Sequence, residues 1–93
     1  MHARVSTYEG DADELVKGFD SVTGALEEVD GFSGAYLLID RNGNRGMSIT
    51  LWESEDALNA SVERANQMRQ EATEQAGASI QSVDHYEVAL RVG

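Results

Sequence analysis

The sequence switches between two hydrophobic periods in a fixed order, and this order constrains the fold more than any other feature. Alternation of apolar and polar side chains, typical of β-strands, occurs in three segments: residues 2–9, 46–53 and 78–92. Residues 32–40 contain an unbroken apolar run, which predicts a strand covered on both faces. Two further segments repeat apolar residues at spacings of three and four, as amphipathic helices do. The chain therefore reads strand, helix, strand, strand, helix, strand.

The predicted helices have recognisable ends. Asp11 is expected to cap the first helix, and Gly31 to follow its end. Ser54 and Gly77 take the same positions around the second helix. The apolar stripe of the first helix consists of Leu15, Phe19, Val22, Leu26 and Val29, and the second, narrower stripe contains Leu58, Val62, Ala65, Met68 or Arg69, Ala72 and Ala76. Asn42-Gly43 predicts a tight hairpin between the second and third strands.

This order predicts a ferredoxin-like α+β fold, with a four-stranded antiparallel sheet and both helices on one face. The right-handed crossover rule makes the first and third strands central. We expect residues 1–93 to form a single domain. We expect the helices to cover the more apolar sheet face, which comprises Ala3, Val5, Met47, Ile49, Leu51, Tyr86, Val88 and Leu90. The other face would then stay open, with Arg4, Ser6, Tyr8, Ser48, Thr50, Trp52, His85, Glu87 and Arg91.

An open face that carries a tryptophan and a tyrosine predicts an interface, and the economical one is a homodimer through the sheet face. The long last strand could reach across to the partner. The alternative is a monomer whose antiparallel sheet faces water on one side.

Composition excludes several classes of function. The 17 acidic residues exceed the 7 basic ones, and the net charge is −10, so binding to nucleic acid or to an anionic membrane is not expected. The chain has no cysteine, which removes disulfides and cysteine-ligated zinc. Neither a membrane-length apolar run nor a secretory signal is visible. We expect a cytoplasmic protein.

One local pattern resembles a known family. Leu51-Trp52-Glu53-Ser54-Glu55-Asp56-Ala57-Leu58 is similar to the Trp-x-Ser-x-Glu/Asp-Ala segment of the antibiotic biosynthesis monooxygenase-like family of dimeric α/β-barrel proteins. The turn Asp30–Gly34 and the final Tyr86-x-Val88 resemble the same family. The resemblance implies a homodimer whose two sheets form a shared barrel. It also implies small oxygenases that oxidise aromatic polyketides or quinols without metal or flavin, or enzymes that degrade haem.

Haem degradation is not expected here. The resemblance implies that haem degraders use a His and a Trp on the second helix and an Asn on the first strand. In this chain residues 54–76 contain neither His nor Trp, and residues 2–9 contain no Asn. His85 and Glu87 share one strand face, a pair that is common by chance, and we predict no metal site. Serine, histidine and aspartate do not form a recognisable triad sequence.

The candidate catalytic residues are Trp52, Asn66 and His85. Trp52 could stack on a flat aromatic substrate, although it could equally fill a dimer interface. Asn66 could orient a carbonyl or enolate, and His85 could bind an anion; the ordinary alternatives are a surface amide and a hydrogen-bonded sheet histidine. The candidate substrate-binding residues are Tyr8, Tyr36, Met68 and Tyr86, each of which also suits ordinary packing.

Two functions remain open on the sequence alone. The first is a cofactor-independent monooxygenase that oxidises a small hydroxylated aromatic or quinol with O₂, in a pocket that excludes water and stabilises the substrate anion. The second is a non-catalytic dimeric domain that binds a small ligand or acts as a stress-related accessory. The fold by itself does not choose between them.

Overall fold

The computed structural model describes residues 1–93 as a four-stranded antiparallel sheet with four helices. The elements in chain order are β1 (His2–Glu9), α1 (Ala12–Asp20), α2 (Thr23–Glu27), β2 (Phe32–Asp40), β3 (Arg45–Trp52), α3 (Glu55–Ala60), α4 (Val62–Ala76) and β4 (Ser79–Glu87). The strand order β2-β3-β1-β4 places β1 and β3 in the centre. The predicted ferredoxin-like α+β fold is confirmed. No helix is long and apolar enough to cross a membrane.

The predicted caps form. The Asp11 carboxylate accepts a hydrogen bond from the Glu14 backbone N–H at 3.0 Å, and the Ser54 hydroxyl accepts one from the Ala57 N–H at 3.1 Å. Gly77 ends α4 with a φ of 64°, in the left-handed region that glycine adopts without steric cost. These signals mark the starts of α1 and α3 and the end of α4.

Each predicted helix is broken in two, and a serine lies at both breaks. The Ser21 hydroxyl donates to the Gly18 carbonyl at 2.6 Å, between α1 and α2. The Ser61 hydroxyl donates to the Leu58 carbonyl at 2.7 Å, between α3 and α4. A hydroxyl that bonds back to the preceding turn competes with the helical N–H and bends the helix. The expectation of two continuous helices is therefore wrong at these two positions.

The last strand is shorter than predicted. β4 ends at Glu87, which lies opposite His2 at the first residue of β1. Beyond this point only Met1 remains, and its carbonyl accepts from the Val88 N–H at 2.9 Å, so residues 89–93 have no residue opposite them on which to extend the ladder. The hairpin turn also differs in detail. The positive φ, 50°, belongs to Asn44, while the Asp40 carboxylate accepts from the N–H groups of Asn42 and Gly43.

The helices cover the sheet face that we expected to be open. Arg4, Ser6 and Tyr8 are only 3%, 1% and 2% exposed, and the Tyr8 ring packs on Phe19 of α1 with centroids 5.0 Å apart. Strand register places the more apolar residues on the other side of the sheet. We call that side the open face; it comprises Val5, Tyr36, Leu38, Met47, Ile49, Leu51 and Tyr86.

The assignment of the two faces was wrong for a physical reason. We matched the apolar helix stripes to the more apolar sheet face, but polar side chains under the helices can be satisfied locally. The Tyr8 hydroxyl lies 2.7 Å from the Ser48 hydroxyl, and the Trp52 indole donates to the Thr50 hydroxyl at 3.0 Å. Buried polar groups that are hydrogen-bonded cost little. Apolarity alone therefore does not tell which face the helices cover.

The core under the helices consists of two small clusters. Tyr8, Leu15 and Ala76 form the first, and Val22, Met68 and Ala72 form the second. Phe19 packs against both clusters.

Between α1 and α4 the two backbones approach closely at Gly18, where an added Cβ would lie 2.3 Å from the Ala72 carbonyl oxygen. This contact sets the spacing of the helices above the sheet.

Candidate functional site

A cleft of about 160 Å³ lies between the sheet and the helices. Most of its lining residues are hydrophobic. Its helical walls include Phe19, Val22, Leu26, Ala65 and Met68, and its sheet floor includes Ser6, Tyr8, Leu37, Ser48 and Thr50. An engineered apolar cavity of similar volume holds benzene. The cleft is therefore the right size for a single ring.

Hydroxyl groups converge on the floor of the cleft. Tyr8 on β1 and Ser48 on β3 lie on the same sheet face, because Ser48 pairs with Ser6 in the register of the two central strands. Their hydroxyls are hydrogen-bonded at 2.7 Å, and either oxygen could donate. Each hydroxyl retains further capacity to donate to or accept from a ligand oxygen. A few placed polar groups in an apolar pocket are what orients a small ligand.

Arg4 forms one end of the cleft. Its guanidinium donates from Nη2 to the Leu58 carbonyl at 3.0 Å and to the Ser61 hydroxyl at 3.1 Å. Its Nε donates to Nε2 of His85 at 3.1 Å, and the group lies 5.6 Å from the centre of the Trp52 ring. Its Nη1 is buried and has no hydrogen-bond partner. Burial and the neighbouring Arg69 lower the pKa of Arg4 to about 10.

Arg69 brings a second cation to the same cleft. It lies on α4, is 7% exposed, and lines the cleft together with Arg4. Its Nη1 donates to the Asn66 side-chain oxygen at 2.7 Å. Partial burial and the charges of Arg4 and Arg69 lower the pKa of His85. His85 is therefore held in its neutral form, which is the form that can accept a hydrogen bond from Arg4.

The structure brings together some of the residues predicted for the site. Tyr8 and Met68 both line the cleft. Asn66 and His85 contact the two arginines, and neither is among the lining residues. Trp52 is fully buried against Phe32, with ring centroids 5.7 Å apart, and lies behind Arg4.

Two predicted residues have largely exposed side chains. Tyr36 and Tyr86 are 61% and 54% exposed, and strand register places both on the open face. Tyr36 is nevertheless among the residues that line the cleft, between Ala35 and Leu37 on β2, whereas Tyr86 is not.

Sequence reasoning missed the two arginines. Arg4 was assigned to an open sheet face, where a charged side chain needs no explanation. A signal for Arg69 was present, because it shares the apolar stripe of the second helix with Met68. A charged residue in a buried stripe indicates either a buried partner or a ligand.

The chain is a ferredoxin-like α+β domain, in which paired helices cover one face of the sheet and a small cleft lies between the two layers. Residues 1–69 match the family model for antibiotic biosynthesis monooxygenase. This match covers most of the chain and includes β1 to β3 and the first half of α4. The chain belongs to the antibiotic biosynthesis monooxygenase family, as the Trp52–Leu58 segment predicted.

Sequence relatives of the chain occur in Mycobacterium tuberculosis. Two uncharacterised proteins of Mycobacterium tuberculosis are 34% and 30% identical to the chain, over 97% and 96% of its length. The chain spans about two fifths of these relatives, 39% and 41% of their lengths.

Among solved structures, SnoaB, a cofactor-independent oxygenase from Streptomyces nogalater, superposes with a TM-score of 0.75 at 17% identity, covering 98% of this chain and 95% of SnoaB. MhuD, a haem-degrader from Mycobacterium tuberculosis, superposes with a TM-score of 0.73 at 28% identity over the full length of both chains.

Proposed function

We propose that the chain is a cofactor-independent monooxygenase that oxidises a small hydroxylated aromatic or quinol with O₂ in the cleft between sheet and helices. The observation that supports this most directly is the cleft itself. It is mostly apolar, fits one ring, carries hydroxyl groups at its floor, and is also lined by two cations. Such a site can exclude water and stabilise negative charge that develops on a phenol oxygen.

The proposed reaction balances without an added reductant. A quinol and one O₂ give a hydroxyquinone and one water. The quinol supplies all four electrons, one oxygen atom enters the ring, and the other leaves as water. An ionised phenol transfers an electron to O₂ more readily than the neutral one, so the site must favour the phenolate. Arg4 and Arg69 supply the positive charge for this in a poorly solvated site.

The named side chains take distinct roles in this proposal. Tyr8, held by Ser48, hydrogen-bonds a substrate oxygen, and Met68 packs on the ring. His85 and Asn66 are positioning residues, because they hold Arg4 and Arg69 through the contacts described above. Trp52 stacks against the Arg4 guanidinium from behind. Tyr86 lies outside the cleft and has no role in it.

We also propose a homodimer formed through the open face. Tyr36, Leu38 and Tyr86 are about half exposed or more, at 61%, 49% and 54%. They adjoin a half-buried apolar row on the central strands. A contiguous exposed apolar patch of this kind is typical of an interface. Native mass spectrometry tests this: the wild type should be a dimer and Tyr86→Glu should shift it toward monomer, whereas a monomeric wild type would contradict the proposal.

The activity is tested by O₂ uptake and product analysis with a panel of single-ring quinols, under air and under nitrogen. We expect O₂-dependent product with the wild type, and a rate at least about tenfold lower for Tyr8→Phe, because a positioned hydrogen-bond donor contributes that much or more. Tyr86→Phe removes the same hydroxyl from the open face and should keep the rate. The absence of O₂-dependent product across the panel would reject the oxygenase in favour of a ligand-binding domain.

A further inference from the structure

Two almost fully buried guanidinium groups face one cleft without any carboxylate beside them. Arg4 and Arg69 are 3% and 7% exposed. The ion pairs within the chain involve three other cations, Lys17, Arg41 and Arg45. The chain has 17 acidic residues, yet none of them forms an ion pair with either buried arginine. The protein as a whole is acidic, and the two buried arginines in the cleft nevertheless have no carboxylate partner.

This arrangement is costly in the empty protein. Buried charges are normally paired, because removing an ion from water is expensive. The two cations also repel each other, and together with desolvation this lowers the pKa of Arg4 to about 10. In addition, the Nη1 group of Arg4 is buried with no acceptor, whereas the great majority of buried donors have one. His85 and Asn66 offer only neutral acceptors. A ligand anion would remove these costs together.

We propose that Arg4 and Arg69 form the receptor for a carboxylate carried by a single-ring aromatic ligand. A carboxylate matches the planar donor fork of a guanidinium better than a phenol oxygen does, because it offers two acceptor oxygens in one plane. It is also fully ionised near neutral pH without help from the site. The aromatic ring would lie against Phe19 and Met68. The choice of a ring rests on the function proposed above; the need for an anion does not.

The size and walls of the cleft restrict the ligand further. A cavity of about 160 Å³ accommodates one ring with small substituents. The apolar walls favour an aromatic acid over an inorganic anion, which would leave those walls without contacts. A neutral quinol would fill the volume but would leave both cations uncompensated. We therefore expect the charged group, more than the ring hydroxyls, to determine affinity.

The test compares two probes of the same shape, gentisate and its neutral amide, gentisamide. Both are quinols, and only gentisate carries a carboxylate. Binding is measured by calorimetry and by the fluorescence of Trp52, the only tryptophan of the chain, which contacts Arg4. We expect gentisate to bind at least about tenfold more tightly than gentisamide, as charge-assisted pairing implies. This preference should weaken as salt is added.

Matched variants assign the preference to the cleft. Arg69→Gln should reduce the preference for gentisate to less than about twofold, and Arg69→Lys should retain part of it. Arg64→Gln makes the same charge change on an exposed position of the same helix and should retain all of it. Circular dichroism and melting of each variant establish that it is folded. Arg4 is not substituted, because it also holds Leu58 and Ser61.

The outcomes separate this inference from the proposed function. Equal affinities for the two probes, no binding of either, or a preference that survives Arg69→Gln or disappears in Arg64→Gln would each overturn the carboxylate receptor. Arg69-dependent gentisate binding without O₂ uptake would support the receptor and reject the oxygenase. Turnover of quinols with no advantage for the acid would support the oxygenase and reject the receptor.

Discussion

Gly18 allows the two helices that wall the cleft to approach each other, and replacing it with alanine tests the packing directly. A Cβ at this position would lie 2.3 Å from the Ala72 carbonyl oxygen and 3.2 Å from its carbon. These are backbone atoms of α4, so no side-chain rotation can relieve the clash. Helices α1 and α4 would have to separate by roughly an ångström to reach ordinary van der Waals distance.

The expected cost follows from two opposing effects. Overpacking in a well-packed region costs about 1–3 kcal/mol, while alanine gains about 1 kcal/mol over glycine in a helix. Because the clash is with backbone atoms, we take the upper part of this cost, about 2–3 kcal/mol, and expect Gly18→Ala to destabilise the protein by about 1–2 kcal/mol after the helix gain. In a domain of this size this lowers the melting temperature by about 5–15 °C.

Gly24 provides the matched control. It lies in α2, and an added Cβ there would meet nothing within 4 Å. Gly24→Ala should therefore show only the gain in helix propensity, about 0.5–1 kcal/mol of stabilisation. Urea denaturation of the two variants should give shifts of opposite sign. If Gly18→Ala were as stable as the wild type, the close approach of α1 and α4 would not be a constraint on the fold.

Two further predictions concern Ser48, on the floor of the cleft, and His85, which contacts Arg4. Ser48→Ala should destabilise the protein by about 1–3 kcal/mol, because it leaves the buried Tyr8 hydroxyl without its partner. Tyr8→Phe combined with Ser48→Ala should recover much of this loss, and a double variant as unstable as the single one in urea would contradict the hydrogen-bond explanation. The lowered pKa of His85 predicts that stability falls as the pH drops below about 6.5, because the unfolded chain takes up the proton before the folded one does. Urea midpoints between pH 7.5 and pH 5.5 should fall less for His85→Gln than for the wild type, and identical falls would refute the role of His85.

The element order could be predicted because it depends on local periodicity. The hydrophobic periods of strands and helices are visible in consecutive residues. Asp11, Ser54 and Gly77 mark helix ends through contacts within one turn. The breaks at Ser21 and Ser61 were missed because a serine inside a helical pattern is compatible with both a straight and a bent helix. The early end of β4 could not be seen in β4 itself, since it depends on where β1 begins.

The site was less predictable, because it depends on which sheet face the helices cover. Tyr8 and Met68 were predicted to bind substrate; the structure places both in the cleft, and their contact with a ligand stays a prediction. Arg4 and Arg69 come together only when β1 and α4 are stacked, over a sequence separation that no local pattern encodes. Because the helices cover the opposite face from the one expected, the side chains of Tyr36 and Tyr86 are exposed on the open face. Long-range stacking, and not residue type, decided each of these outcomes.

Phe19 packs against both clusters of the core, and it also lines the cleft. A compound in the cleft would contact residues of both clusters, so its binding is coupled to the folding of the whole domain. A ligand present at a hundred times its dissociation constant adds about 2.7 kcal/mol to the free energy of unfolding. The melting temperature of this protein is thus a general sensor of occupancy, and a thermal-shift screen of single-ring compounds can identify its ligand before any reaction is known.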